Sequence, residues 1–307
     1  MRIAVIGTGG VGGTFGGALA KAGGDVVFVA RGAHLDSIRS RGLRIEGDRG
    51  TTVIAPAQAT DDPHTIGTVD IVLFCVKLWD VEAAARQVKP IIGSGTAVIP
   101  LQNGIDAPDR LVPILGNSAV MAGTVSVSAT IAEPGVVRQT GTVMSMAFGE
   151  RDGQSSPRGQ RFLALAQRSG FDVVLTDAID TAIWTKFILL TGVSGVTALT
   201  RQPIGKLIGD PDIAALFHDV MTETASVGRA HGVALPEAVV EDRMAAVRAT
   251  PPGVMASMAH DLLRGNRLEL PWLAGKVVEL GRRYGIATPA NAAILAGLKP
   301  YVGGRPQ

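Results

Sequence analysis

The chain has 307 residues, 46% of them hydrophobic and 18% charged, with a net charge of +2. At roughly 100–200 residues per domain this length predicts two domains, and the composition excludes a disordered chain. A near-neutral balance without a dense Lys/Arg block gives no support to nucleic-acid or membrane-surface binding.

Cys75 is the sole cysteine, so no internal disulfide can form and nothing points to an oxidising compartment. A strand pattern beginning at residue 2 is read as leaving no room for a signal peptide. The longest apolar stretch, 183–199, carries Lys186 and several hydroxyls, and reads as too short and too polar to span a bilayer. A cytoplasmic protein is the expectation.

In chain order, Arg2 to Ile6 is a short apolar run that predicts a buried strand. Gly7, Gly9 and Gly12 follow in G-x-G-x-x-G spacing, and 14–22 predicts a helix of small residues. In a strand–turn–helix setting Gly7 allows the tight turn, Gly9 admits a pyrophosphate to the backbone, and Gly12 lets helix and strand pack closely. The helix start then offers free N–H groups and a positive dipole end to phosphates. The loop Gly7, Thr8, Gly9, Gly10, Val11 and Gly12 is therefore the candidate dinucleotide site. A glycine-rich turn in another kind of α/β domain is the alternative.

Residues 25–30 predict the second strand, whose end faces the adenosine ribose in dinucleotide folds. Arg31 stands there, with no acid before Asp36. A guanidinium fork suits a 2′-phosphate, which favours NADPH over NADH; the alternative is a solvated charge opening the helix expected at 32–41.

A short hairpin is expected at 43–46 and 52–55, around 47–50. Strands at 70–76 and 96–100, with a helix at 81–88, complete an alternation that a doubly wound parallel sheet requires. Lys77 and Asn103 follow strand ends, where ligands bind in such sheets; Asn103 is equally readable as a turn residue. From 120 to 149 the pattern predicts an antiparallel meander added to that sheet, split at Gly141. A helix at 158–169 and a last strand at 171–175 follow. Thr176 and Asp177 cap a long helix, dividing the chain into a nucleotide domain, 1–177, and an all-helical domain, 178–307.

In the second half apolar residues recur at helical spacing, as at Leu273, Val277 and Leu280. These helices could form a core alone or also a homodimer interface. Lys186 is a single cation among apolar neighbours. Desolvation would lower its pKa, and an ammonium beside a carbonyl stabilises a developing alkoxide; the alternative is a lysine snorkelling to solvent. Glu269 precedes Pro271, a residue suited to a first helical turn, and is otherwise an ordinary exposed acid. Ser257 could be an N-cap or a ligand group. No metal site is expected.

Taken together, RIAVIGTGGVGG, FVARGAHLDSIRSRGLRI, CVKLWD, LQNGID, AIWTKFILL, SMAHDLLRGNRLEL and GIATPANAAIL, in this order and nearly end to end, resemble ketopantoate reductase (2-dehydropantoate 2-reductase). The resemblance implies a Rossmann-type domain, a helical carboxy-terminal domain, NADPH as cofactor and a small 2-oxo acid as substrate. It implies Lys186 as catalytic lysine, Glu269 as its supporting glutamate, Asn103 near nicotinamide and substrate, Lys77 on the cofactor, and Ser257 on the substrate carboxylate side.

Leu190 and Ser194 stand where the family usually has asparagines, one and two helical turns after the lysine; Val254 stands for a third. Ser194 is kept as a substrate-site candidate. Fewer amides predict weaker discrimination by hydrogen bonding, so a reductase of another 2-oxo or β-hydroxy acid is the second hypothesis. A non-catalytic nucleotide sensor, which would not need Lys186 or Glu269, is the third.

Overall fold

The computed structural model describes residues 1–48 and 50–305, which fall into two compact units. The first comprises Met1–Gln102 and Asp106–Ile179; the second takes Asn103–Ile105 and the chain from Asp180 onward.

The first unit runs β1 (Arg2–Ile6), α1 (Gly10–Lys21), β2 (Asp25–Val29), α2 (Gly32–Arg41), β3 (Leu43–Gly47), β4 (Gly50–Ile54), β5 (Gln58–Thr60), β6 (Val69–Phe74), α3 (Val81–Val88) and β7 (Ile92–Pro100). It continues through α4 (Ala107–Leu115), β8 (Ala122–Glu133), β9 (Val136–Gly149), α5 (Pro157–Ala166) and β10 (Asp172–Leu175). One sheet is parallel, in the order β5-β2-β1-β6-β7. Its central strands are covered on both faces, which is why β1, β2 and β6 are nearly unbroken apolar runs. From β1 the chain winds first to β2 and later to β6 on the other side, so the crevice for a ligand lies at the carboxyl end of β1.

The meander differs from expectation. It is a β8–β9 hairpin in a second, mixed sheet of order β10-β9-β3-β4, with β3 and β10 parallel to β9. An isolated bridge from Val98 to Val120 and the Met121 N–H donating to the Val98 carbonyl at 3.0 Å link its approach to the parallel sheet. Nor is β9 split at Gly141: pairing passes from Val127–Met144 to Ala129–Gln139, so the extra residues of β9 are absorbed in a bulge and the strand continues. The β3–β4 hairpin forms as expected; of the turn expected at 47–50, Arg49 lies outside the described residues.

Helix α1 lies between the two sheets, and its composition follows from that. A Cβ at Gly12 or Gly16 would strike Val5 on the parallel sheet, while one at Gly13 or Gly17 would strike Val137 or Ile45 on the mixed sheet. A helix of ordinary side chains is too thick for the gap. Phe15 and Leu19 fill what remains, fully buried with Phe28 and Phe148.

The second unit holds α6 (Ile179–Thr200), α7 (Pro211–Ala230), α8 (Val239–Ala249), α9 (Ser257–Arg264), α10 (Ala274–Tyr284) and α11 (Pro289–Leu298). Phe187, Ile188, Phe217, Val277 and Ile294 are among its fully buried residues. Asp210 caps α7 through the N–H groups of Asp212 and Ile213. Glu223 accepts from the N–H groups of Ala290 and Asn291, placing a carboxylate at the start of α11. The 22-residue α6 is longer than its apolar stretch suggested. By length and a mean hydropathy of 1.5 it could cross a membrane, yet 61% of that window is buried inside the protein, as in a core helix.

Candidate active site

The glycine turn carries the features a dinucleotide needs. Gly7 has φ +90°, and a Cβ there would press on the backbone of Cys75 and Val76. Gly9, the N-cap of α1, faces open space, and the first turn of α1 contains no acidic residue. Gly10 runs against the Ala129 carbonyl of β8, a packing role that motif spacing does not reveal. Thr8 is fixed by its N–H and its Oγ1, which donate to the Val29 carbonyl at 3.1 and 2.9 Å. Val11 is partly buried against the first unit's core. Arg31 is exposed immediately before α2, with Nη2 donating to Gln87 Oε1 at 3.2 Å. Lys77 is exposed after β6, with its Nζ 5.6 Å from the centroid of the Trp79 ring. Open backbone donors, a positive helix end and nearby cations fit a phosphorylated dinucleotide.

In the second unit α6 presents Lys186, and two segments distant in sequence meet it. Asn103 arrives directly after Gln102, whose Nε2 donates to the Phe74 and Val76 carbonyls at 2.8 and 3.1 Å. Glu269 stands just before a short 3₁₀ turn, Leu270–Trp272, that Pro271 favours, and is only 6% exposed. Lys186 Nζ donates to Asn103 Oδ1 at 3.1 Å, and Asn103 Nδ2 donates to Glu269 Oε2 at 3.4 Å. The amide can satisfy both partners in one orientation only, oxygen to the ammonium and nitrogen to the carboxylate. Burial draws the Lys186 pKa down to about 8, and the Glu269 charge opposes that fall. The result is a lysine that is mostly an ammonium at neutral pH yet gives up its proton readily. Such a group can protonate, or share a proton with, an oxygen that becomes an alkoxide.

The remaining candidates are placed differently. Ser194, two turns beyond Lys186 on α6, is 1% exposed, and its Oγ has no hydrogen-bond partner among the described residues. Ser257 is exposed at the first position of α9 and is not the cap, which is Ala256. The Ala256 N–H donates to Thr197 Oγ1 at 3.4 Å, tethering the start of α9 to α6. Thr197 and Gln102 were not distinguishable by spacing; for Gln102 the only signal is its place beside Asn103. Among the described residues no group of His, Cys, Asp and Glu side chains could hold a metal ion.

Residues 3–153 match the family model "Ketopantoate reductase PanE/ApbA", and residues 178–302 match the model of its C-terminal part. The chain is 33% identical over 292 residues to 2-dehydropantoate 2-reductase of Halobacterium salinarum, covering 94% of this chain and 95% of that one. The crystal structure of a PanE/ApbA family ketopantoate reductase from Ralstonia eutropha JMP134 has 34% identity and a TM-score of 0.90, covering 98% of both chains. At 20% identity and a TM-score of 0.90, D-mandelate dehydrogenase, solved with NADH and anilino(oxo)acetate, shares the fold over 98% of both chains.

Proposed function

The chain belongs to the ketopantoate reductase PanE/ApbA family, and from that premise we propose that it is a 2-dehydropantoate 2-reductase, reducing ketopantoate to pantoate with NADPH. The observation that carries this reading is the chain Lys186–Asn103–Glu269. The glycine turn and the start of α1 would hold the pyrophosphate, Arg31 the 2′-phosphate, and Lys77 and Asn103 further parts of the cofactor. When bound, the reduced nicotinamide supplies the hydride that C2 of the keto acid receives.

Lys186 stabilises the oxygen at C2 as negative charge develops there and delivers the proton that leaves an alcohol. Asn103 holds the amine in place. Glu269 keeps enough of it protonated despite burial, and Ser257 is a candidate for the substrate carboxylate. A cytoplasmic setting goes with this reading, because the reduced dinucleotide it consumes is kept inside cells.

A second reading, a reductase of a more apolar 2-oxo acid or of a β-hydroxy acid, is favoured by one observation. On α6 the positions after Lys186 carry Leu190 and a buried Ser194 whose Oγ has no partner among the described residues, so fewer groups stand ready to grip substrate hydroxyls.

Steady-state rates on a panel of 2-oxo acids, each with NADPH and with NADH, test both readings. Ketopantoate with NADPH is expected to give the highest kcat/KM; a higher value for a 2-oxo acid without hydroxyls would support the second reading. Lys186→Met should lower kcat by roughly a hundredfold or more, as for loss of a general acid, while NADPH binding survives. Turnover near that of the wild type would remove Lys186 from the mechanism.

A further inference from the structure

The proposed mechanism makes no use of His34, which lies one turn into α2, beyond Arg31. Its Nε2 is 2.8 Å from the Thr8 carbonyl oxygen, and its Nδ1 accepts from the Gly135 N–H at 3.0 Å. Because Gly135 can only donate, Nδ1 carries no proton; the ring is the neutral Nε2–H tautomer and donates to Thr8. Burial holds the His34 pKa below the ordinary imidazole range, with the Thr8 hydrogen bond acting against it.

Gly135 is itself a fixed donor. Its φ is +81°, its carbonyl accepts from the Arg44 N–H at 2.9 Å, and the neighbouring Pro134 carbonyl accepts from Ser37 Oγ at 2.8 Å. The imidazole thus joins the β8–β9 turn to the glycine turn.

The Thr8 carbonyl belongs to the Thr8–Gly9 peptide. In a trans peptide plane the C=O and the N–H point in opposite directions. Holding the carbonyl toward His34 therefore turns the Gly9 N–H away from it. Gly9 is the residue whose surroundings are open. The other groups of Thr8 are already fixed on Val29, so His34 supplies the missing constraint on this peptide.

We propose that His34 is a positioning residue for the cofactor, orienting the Thr8–Gly9 peptide so that its N–H is presented to the dinucleotide phosphates. The proposal rests on the reading of the glycine turn as the dinucleotide site.

The test is calorimetric titration of NADPH into the full-length wild type, His34→Ala and His34→Gln, with thermal unfolding measured alongside. His34→Ala is expected to raise the Kd about tenfold, the order of one lost hydrogen bond. Its kcat at saturating NADPH should stay near that of the wild type. His34→Gln keeps a donor and an acceptor, and should restore the Kd to within about threefold.

An unchanged Kd in His34→Ala, or a Gln variant as weak as the Ala variant, would overturn the proposal. So would ¹⁵N histidine spectra of the wild type showing an Nδ1–H ring, a measurement that needs no variant to fold. A wild type that binds neither NADPH nor NADH would instead overturn the dinucleotide reading, and the proposal with it.

Discussion

Glu269→Gln separates the charge of Glu269 from its shape, since the amide keeps an oxygen for Asn103. In the wild type burial lowers the Lys186 pKa to about 8 and Glu269 resists the fall. In the proposed mechanism reduction requires the ammonium, so its rate is full below that pKa and is lost as pH rises through it. The bridging amide keeps ammonium and carboxylate within roughly 9 Å. At an effective dielectric of about 20 their attraction is then about 2 kcal/mol, more than one pH unit.

The assay is kcat/KM for the keto acid at saturating NADPH, from about pH 6 to about pH 10. The wild-type profile should be flat, then bend near pH 8 and fall tenfold per unit. In the variant the bend should move down by about one pH unit, with a rate at low pH within a few-fold of the wild type. A bend that stays put, or moves to higher pH, would refute the electrostatic role given to Glu269.

The same lysine makes a prediction about stability. Its folded-state pKa lies below that of the unfolded chain, so between about pH 8 and pH 10.5 the unfolded state binds more protons. Stability therefore rises with pH across that window. Measured by denaturant unfolding, wild type minus Lys186→Met should increase by about 1–3 kcal/mol from the bottom of the window to the top; a constant difference would mean that the amine is solvated. At the cofactor end, Arg31→Ala should raise the KM for NADPH by roughly 10–100-fold and leave that for NADH nearly unchanged, as expected for a lost guanidinium–phosphate pair. Equal losses with both cofactors would argue that Arg31 serves only α2.

The parts of the fold that could be read from sequence are those whose environment is uniform along the segment. Strands β1, β2 and β6 are covered on both faces and so appear as apolar runs. Helix α1 shows what such reading lacks. It begins at Gly10, four residues before the expected start, because four of its seven buried positions are glycines that pack against two sheets and blur the apolar period. The bulge that carries β9 through Gly141 depends on the pairing with β8, which spacing along one strand does not contain.

The candidate site divides along the same line. Lys186 was conspicuous as a cation in an apolar helix, but neither snorkelling nor catalysis could be chosen from its neighbours in sequence. What speaks against snorkelling is an amide 83 residues earlier and a carboxylate 83 residues later. Their convergence gives a partly buried cation a hydrogen bond and a counter-charge. A merely snorkelling lysine would need neither, since water would hydrogen-bond to it and screen its charge. His34 lies at the opposite extreme, because its partners are a backbone carbonyl and a backbone N–H, groups that every residue carries and no motif can mark.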